Sequence, residues 1–170
     1  MLTNEVLNCK QDVRTLINRV FEILGESHLG GSLDLEWSQR MTSCAGRGGY
    51  RRETKRGIIK ISEKLWDVAS PEERAQLVIH EACHVVQRYQ YPWSQPHGSE
   101  WRGMMWKCGR KARIHHKIDT SKVKNGRRVA AECPCGAIKD LGKIRAERIR
   151  QGKRRYYCGV CKKQIILKNG

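Results

Sequence analysis

The sequence predicts an α+β fold in two parts: a domain of helices and short strands over residues 1–116 and a small, basic β module over 132–170, joined by a connector at 117–131. Three observations carry this. Apolar residues recur at helical spacing in two long stretches, and short strand-like runs bounded by glycine lie between and after them. Four of the eight cysteines form two close pairs near the C-terminus. The charge is also divided, with 15 basic and 13 acidic side chains in residues 1–109 against 19 and 4 in residues 110–170. A near-neutral body with a strongly basic last third suits an ordinary domain carrying a nucleic-acid-facing module. No window reaches the ~20 apolar residues of a membrane span, and the first residues lack the apolar core of an export signal. The expected compartment is therefore intracellular and reducing: cytoplasmic or nucleoid-associated in a prokaryote or phage, nuclear in a eukaryote.

Val6, Val13, Leu16, Ile17, Val20 and Leu24 fall at helical spacing and predict a packing helix over 5–24. Leu33, Leu35 and Trp37 alternate with Asp34 and Glu36 as in a half-buried strand. Residues 44–49, Cys-Ala-Gly-Arg-Gly-Gly, read as a turn, Gly57–Ile61 as a second strand, and Leu65–Val68 as a short helix. Ser70-Pro71-Glu72-Glu73 is a capping-box start for a helix to about Tyr89. On it Ala75, Val78, Ile79, Ala82, Val86 and Tyr89 form one apolar face. A further helix is expected from Ser99 to about Ala112.

The chemistry lies on the capped helix. His80-Glu81-Ala82-Cys83-His84 fits H-E-x-x-H, which at this composition arises by chance in roughly one chain in seventy. Positions i and i+4 project from one helix face, so His80 and His84 can hold one zinc ion together. At ~100° per residue that face is opposite the apolar one. Glu81, one residue on, is turned out of the ligand pair but can reach a water beside the metal, as the general base that zinc-activated hydrolysis needs. His97, at the entry to the next helix, is the expected third ligand, with Glu100 as its rival. The metzincin spacing would need histidine where Gln90 stands.

Cys133-Pro-Cys135-Gly and Cys158-Gly-Val-Cys161 are separated by 22 residues. Four thiolates close a tetrahedral structural zinc site, which lets a module of under ~40 residues fold with little core. Between the pairs run Lys143, Arg145, Arg148, Arg150, Lys153, Arg154 and Arg155, then Tyr156 and Tyr157. Strands presenting these cations on one face would bind phosphates without sequence preference, with Tyr156 available to stack on an unpaired base. Of the remaining residues, Cys9, Cys83 and Cys108 are expected as packing cysteines and Trp101 and Trp106 as core. Trp93 is expected near the cleft, and His115 and His116 in a polar connector.

The H-E-x-x-H helix, Pro96-His97-Gly98-Ser99-Glu100-Trp101, Met104-Met105 and Ile114-His115 together resemble the SprT/Spartan group of zinc metalloproteases. Upstream, Trp37-Ser-Gln-Arg-Met41 and Cys44-Ala-Gly46 extend the likeness, and the C-x-C/C-x-x-C module is similar to the ribbon of bacterial SprT proteins. Where Spartan-like members often carry a second cysteine, this chain has Arg47-Gly48-Gly49. The resemblance implies a zincin-like metalloprotease domain with a C-terminal zinc ribbon. It also implies two zinc ions: a catalytic one on His80, His84 and His97 with Glu81 as catalytic glutamate, and a structural one on Cys133, Cys135, Cys158 and Cys161. The implied activity is DNA-dependent cleavage of proteins bound or crosslinked to DNA, single-stranded or junction-containing. The alternative is a non-catalytic, transcription-associated zinc protein.

Overall fold

The computed structural model describes residues 1–120, 123, 128–136 and 138–168, in two compact units that divide at Lys124/Asn125. The first unit contains α1 (Asp12–Ile23), β1 (Leu33–Ser38), β2 (Gly46–Arg51), β3 (Arg56–Ser62), α2 (Glu63–Val68), α3 (Pro71–Gln90) and α4 (Ser99–Lys107). The second contains β4 (Arg128–Glu132), β5 (Ile138–Gly142), α5 (Lys143–Arg150) and β6 (Ile166–Leu167).

In the first unit the sheet order is β1-β3-β2, with β1 parallel and β2 antiparallel to β3. The expected alternation of β1 is present: Leu33 is buried, and Asp34 and Glu36 pair across the strand with Arg56 and Lys60. The central element is α3. Its capping box forms in full, with Ser70 Oγ accepting from the Glu73 N–H at 3.2 Å and the Glu73 carboxylate accepting from the Ser70 N–H at 2.9 Å. Its apolar face is buried at Ala75, Val78, Ile79, Ala82 and Val86, which leaves the histidine face turned the other way.

Three boundaries differ from expectation. α1 starts at Asp12 rather than near residue 5. The preceding segment instead runs as an irregular strap that buries Leu2 and Leu7 and exposes Val6. Its Leu2 N–H donates to Cys108 O at 2.8 Å, and its Leu7 N–H donates to Pro71 O at 3.0 Å. α4 stops at Lys107 because Gly109 takes a positive φ of 75°. The glycine run at 46–49 is a strand, not a turn. Its glycines are there for close approach: a Cβ on Gly48 would sit 2.1 Å from the Glu81 backbone oxygen, and one on Gly46 would sit 2.7 Å from the Glu81 carboxyl. Gly48→Ala is therefore expected to destabilise the domain by about 1–3 kcal/mol in thermal unfolding. Gly49→Ala, with nothing within 4 Å of the added carbon, should be nearly neutral; equal effects would contradict this packing.

In the second unit the strand order is β5-β4-β6, all antiparallel, over a small core of Ala131, Cys133, Leu141, Ala146, Cys158 and Ile165. β4 begins inside the stretch 117–131 read as connector; residues 121–122 and 124–127 of that stretch lie outside the described residues. The first half of the basic run is a helix, α5, rather than a strand. Lys-Ile-Arg-Ala-Glu-Arg-Ile-Arg consists mostly of good helix formers, with an alanine to bury.

Candidate metal centre and its cleft

α3 presents His80 and His84 one turn apart, and Gly98 turns the chain into α4 so that His97 meets them. The three Nε2 atoms form a nearly equilateral triangle: 3.1 Å for His80–His84, 3.1 Å for His84–His97 and 3.2 Å for His80–His97. Three nitrogens bound tetrahedrally to zinc at 2.0–2.1 Å would stand roughly 3.3 Å apart, so the set fits one such ion. Burial pushes His80 down to about 3 and His84 to about 4, with neighbouring histidines adding to the shift. The imidazoles are thus neutral at pH 7, with lone pairs free for a metal. Glu100 is not a member of the triangle.

Two supports were not foreseen as such. Trp101, 0% exposed, packs against all three rings, stacked on His84 (5.4 Å between centroids) and edge-on to His80 and His97. It is core, as expected, but core beneath the metal set. Buried Gln87 accepts at Oε1 from His84 Nδ1 (3.2 Å), while its amide donates to Ser94 Oγ at 2.9 Å and Gln95 O at 2.6 Å. This fixes both the tautomer and the ring plane of His84. On the angular count from Ala75, Gln87 lies near 120°, between the apolar and histidine faces; a buried amide there was the available signal. Gln87→Leu is expected to weaken zinc binding about 10- to 100-fold in competition with a chromophoric chelator. Unchanged affinity would show that Gln87 only packs.

Glu81 is 5% exposed, and burial raises its carboxyl to about 8, opposed by a hydrogen bond from the Gly48 N–H. That bond turns the outer side of β2, an edge strand, toward Glu81. Both line a cleft of about 770 Å³ with the three histidines, Cys44 and the 109–117 segment. His115 and His116 thus border the cleft without joining the metal set. Trp93 does not: it is 95% exposed and outside the cleft. Trp106, expected in the core, is 67% exposed on α4, whereas Cys83 and Cys108 are buried.

In the second unit the four cysteines converge, with Sγ atoms 3.1 Å apart for Cys133–Cys161, 3.3 Å for Cys133–Cys135 and 3.9 Å for Cys135–Cys158. All four lie within 4.8 Å of one another, close to the roughly 3.8 Å edge of a ZnS₄ tetrahedron with 2.3 Å bonds. Backbone N–H groups of Cys161 and Val160 hold Cys158 down to about 6, favouring thiolate. The cations do not share one strand face. Arg145 and Arg148 lie on one side of α5 and Lys143 and Arg150 on the other, by the helical period. Lys153, Arg154 and Arg155 follow in an exposed irregular segment. Tyr156 is half-buried, with the Arg145 guanidinium 5.8 Å from its ring centroid, and Tyr157 is the exposed tyrosine. Among the described residues no helix is long and apolar enough to cross a membrane.

The family model described as the SprT-like family matches residues 14–122, more than half of the chain. Protein SprT of Shewanella oneidensis is 34% identical over 123 residues, 72% of this chain and 78% of that one. Protein SprT of Glaesserella parasuis is 36% identical over 94 residues, 55% of this chain and 59% of the other. The DNA-dependent metalloprotease SPRTN of Xenopus tropicalis is 30% identical over 84 residues, 49% of this chain but 19% of the longer frog protein.

Proposed function

The chain belongs to the SprT-like family, and from that premise we propose that it is a DNA-dependent zinc endopeptidase that cleaves proteins bound or crosslinked to DNA. The observation that carries the peptidase half is the triangle of three neutral imidazoles with the buried Glu81 carboxyl beside it in one cleft. In this reading His80, His84 and His97 hold the catalytic zinc, and the four cysteines hold a second, structural one. A zinc ion held by these three neutral imidazoles would keep its full charge and would supply Lewis acidity toward water and a peptide carbonyl. A metal cation beside Glu81 would oppose the upward shift that burial gives its carboxyl. The ionised carboxylate would then take the proton from the attacking water and return it to the leaving amine. β2 is an edge strand whose Gly46, Arg47 and Gly48 line the cleft, so an extended substrate runs alongside it past Glu81. Gln87 and Trp101 keep the ligand rings in place.

The DNA half rests on the second unit. Its exposed cations meet phosphates, and Tyr157, which stands free where Tyr156 does not, offers a face to an unpaired base. The name of the frog relative supports DNA dependence. The test is zinc analysis together with cleavage by the full chain before and after chelation. Two zinc ions per chain, cleavage lost on chelation and restored by zinc are expected. Two zinc ions and retained DNA binding without cleavage of any DNA-bound protein would instead favour a regulator.

A further inference from the structure

One wall of the cleft is cationic. Residues 109–117, apart from Ala112, line it, and it is fastened beside the metal set: Gln76 on α3 donates to Lys111 O at 3.1 Å, and the Arg113 backbone hydrogen-bonds with the His80 ring. Lys111, Arg113 and Lys117 are exposed there, and none forms an ion pair with a described residue. Arg47 on β2 is a further exposed cation of the cleft, also without an ion pair among the described residues, and the remaining charged side chains there are hydrogen-bonded elsewhere. Arg110 donates to the Glu5 carbonyl, and Arg88 donates to the Pro92 and Ser94 carbonyls. Glu73 caps its own helix through the Ser70 N–H, and Glu72 is tied to the Ser70 hydroxyl. The wall therefore presents three cations without an ion-pair partner among the described residues, and β2 adds a fourth, Arg47, to whatever lies beside the histidines.

We propose that this wall, through Lys111, Arg113 and Lys117, selects polypeptide segments carrying Asp or Glu next to the bond to be cut. The inference rests on the peptidase reading of the same cleft. Two features favour a polypeptide over a nucleic acid as the occupant. The lining contains no Phe, Tyr or Trp, the larger rings of base-stacking platforms, and offers only histidine rings and guanidinium planes for that purpose. The wall also runs beside the ligands that an extended chain along β2 must pass. Such a preference is compatible with DNA-bound substrates, because a protein seated on phosphates turns its basic surface to the DNA and its acidic segments outward. Each partly exposed charge pair changes affinity by roughly 1.5- to 5-fold, so three together are expected to give about tenfold.

The experiment uses the full, zinc-loaded chain carrying Glu81→Gln, so that binding is read without turnover. Fluorescence anisotropy compares two labelled peptides of one backbone, flanked by Asp/Glu or by Lys/Arg, and a thymidine oligonucleotide. About tenfold tighter binding of the acidic peptide is expected. That preference should fall severalfold with Lys111→Gln/Arg113→Gln/Lys117→Gln and invert with the corresponding Glu substitutions, while oligonucleotide affinity stays unchanged. Equal binding of the two peptides overturns the proposal. So does loss of oligonucleotide binding in the substituted proteins with no change in peptide preference, which would make the wall a DNA contact. Cleavage of the same peptides by the parent chain with single-stranded DNA present separates this from the peptidase reading: equal cleavage of both overturns the wall alone, whereas preferential binding without cleavage overturns the peptidase and leaves the wall standing.

Discussion

Glu81→Gln is expected to leave both metal sites loaded and to reduce peptide cleavage by about a thousandfold, within the 10²–10⁴ range of a general acid–base group. The amide has the shape of the carboxyl, so it fits against Gly46 and Gly48, and its oxygen can still accept from the Gly48 N–H. It cannot take a proton from water. Glu81 is not one of the three ligands, so zinc content measured on the same sample should match the parent. A stability consequence follows with the opposite sign to the catalytic loss. Burial raises the folded carboxyl from 4.5 to about 8. Its contribution to stability is therefore present below pH 4.5 and lost as pH rises through about 8. In the metal-free protein the substituted chain should then unfold at a temperature equal to or above the parent's at pH 8 and higher. Cleavage retained with zinc bound would remove Glu81 from the mechanism.

Cys158→Ser has the second large effect, and it falls on the other unit. The core beneath β4, β5 and α5 has six buried residues, two of which are the metal-site cysteines Cys133 and Cys158. So small a core does not fold a module unaided. Removing one thiolate is expected to halve the zinc content from two ions to one, to abolish the dispersion of the second unit's amide resonances, and to lower affinity for single-stranded DNA at least tenfold. The first unit, with its own large core, should keep its resonances. A folded second unit without its ion would contradict a structural zinc.

The histidine triangle is legible because its signals agree. The capping box sets the start of α3, the apolar positions orient it, and the i, i+4 histidines fall on the face left over. His97 needed tertiary closure, but its place at the entry to α4 made it the first choice over Glu100. β2 was not legible. Glycines that make a turn and glycines that admit a neighbouring helix have the same composition, and only the 2.1 Å approach to Glu81 distinguishes them. The strap formed by residues 1–11 is hidden in the sequence because Val6 continues the helical period by coincidence while Leu2 and Leu7 do the burying. The basic run was read as strand because its charge hid its helix propensity; Ala146, buried in the middle of α5, was the residue that could have corrected this. Trp101 was legible as core, but its packing against the ligands depends on the α3–α4 arrangement, which no local pattern encodes.

The most direct test of the central claim is the salt-resolved cleavage of a DNA-binding protein by the full, zinc-loaded chain, with and without single-stranded DNA. Cleavage that requires DNA at low salt, and falls steeply together with DNA affinity as ionic strength rises, is the result this account predicts. Cleavage at the same rate with and without DNA, indifferent to salt, would contradict it.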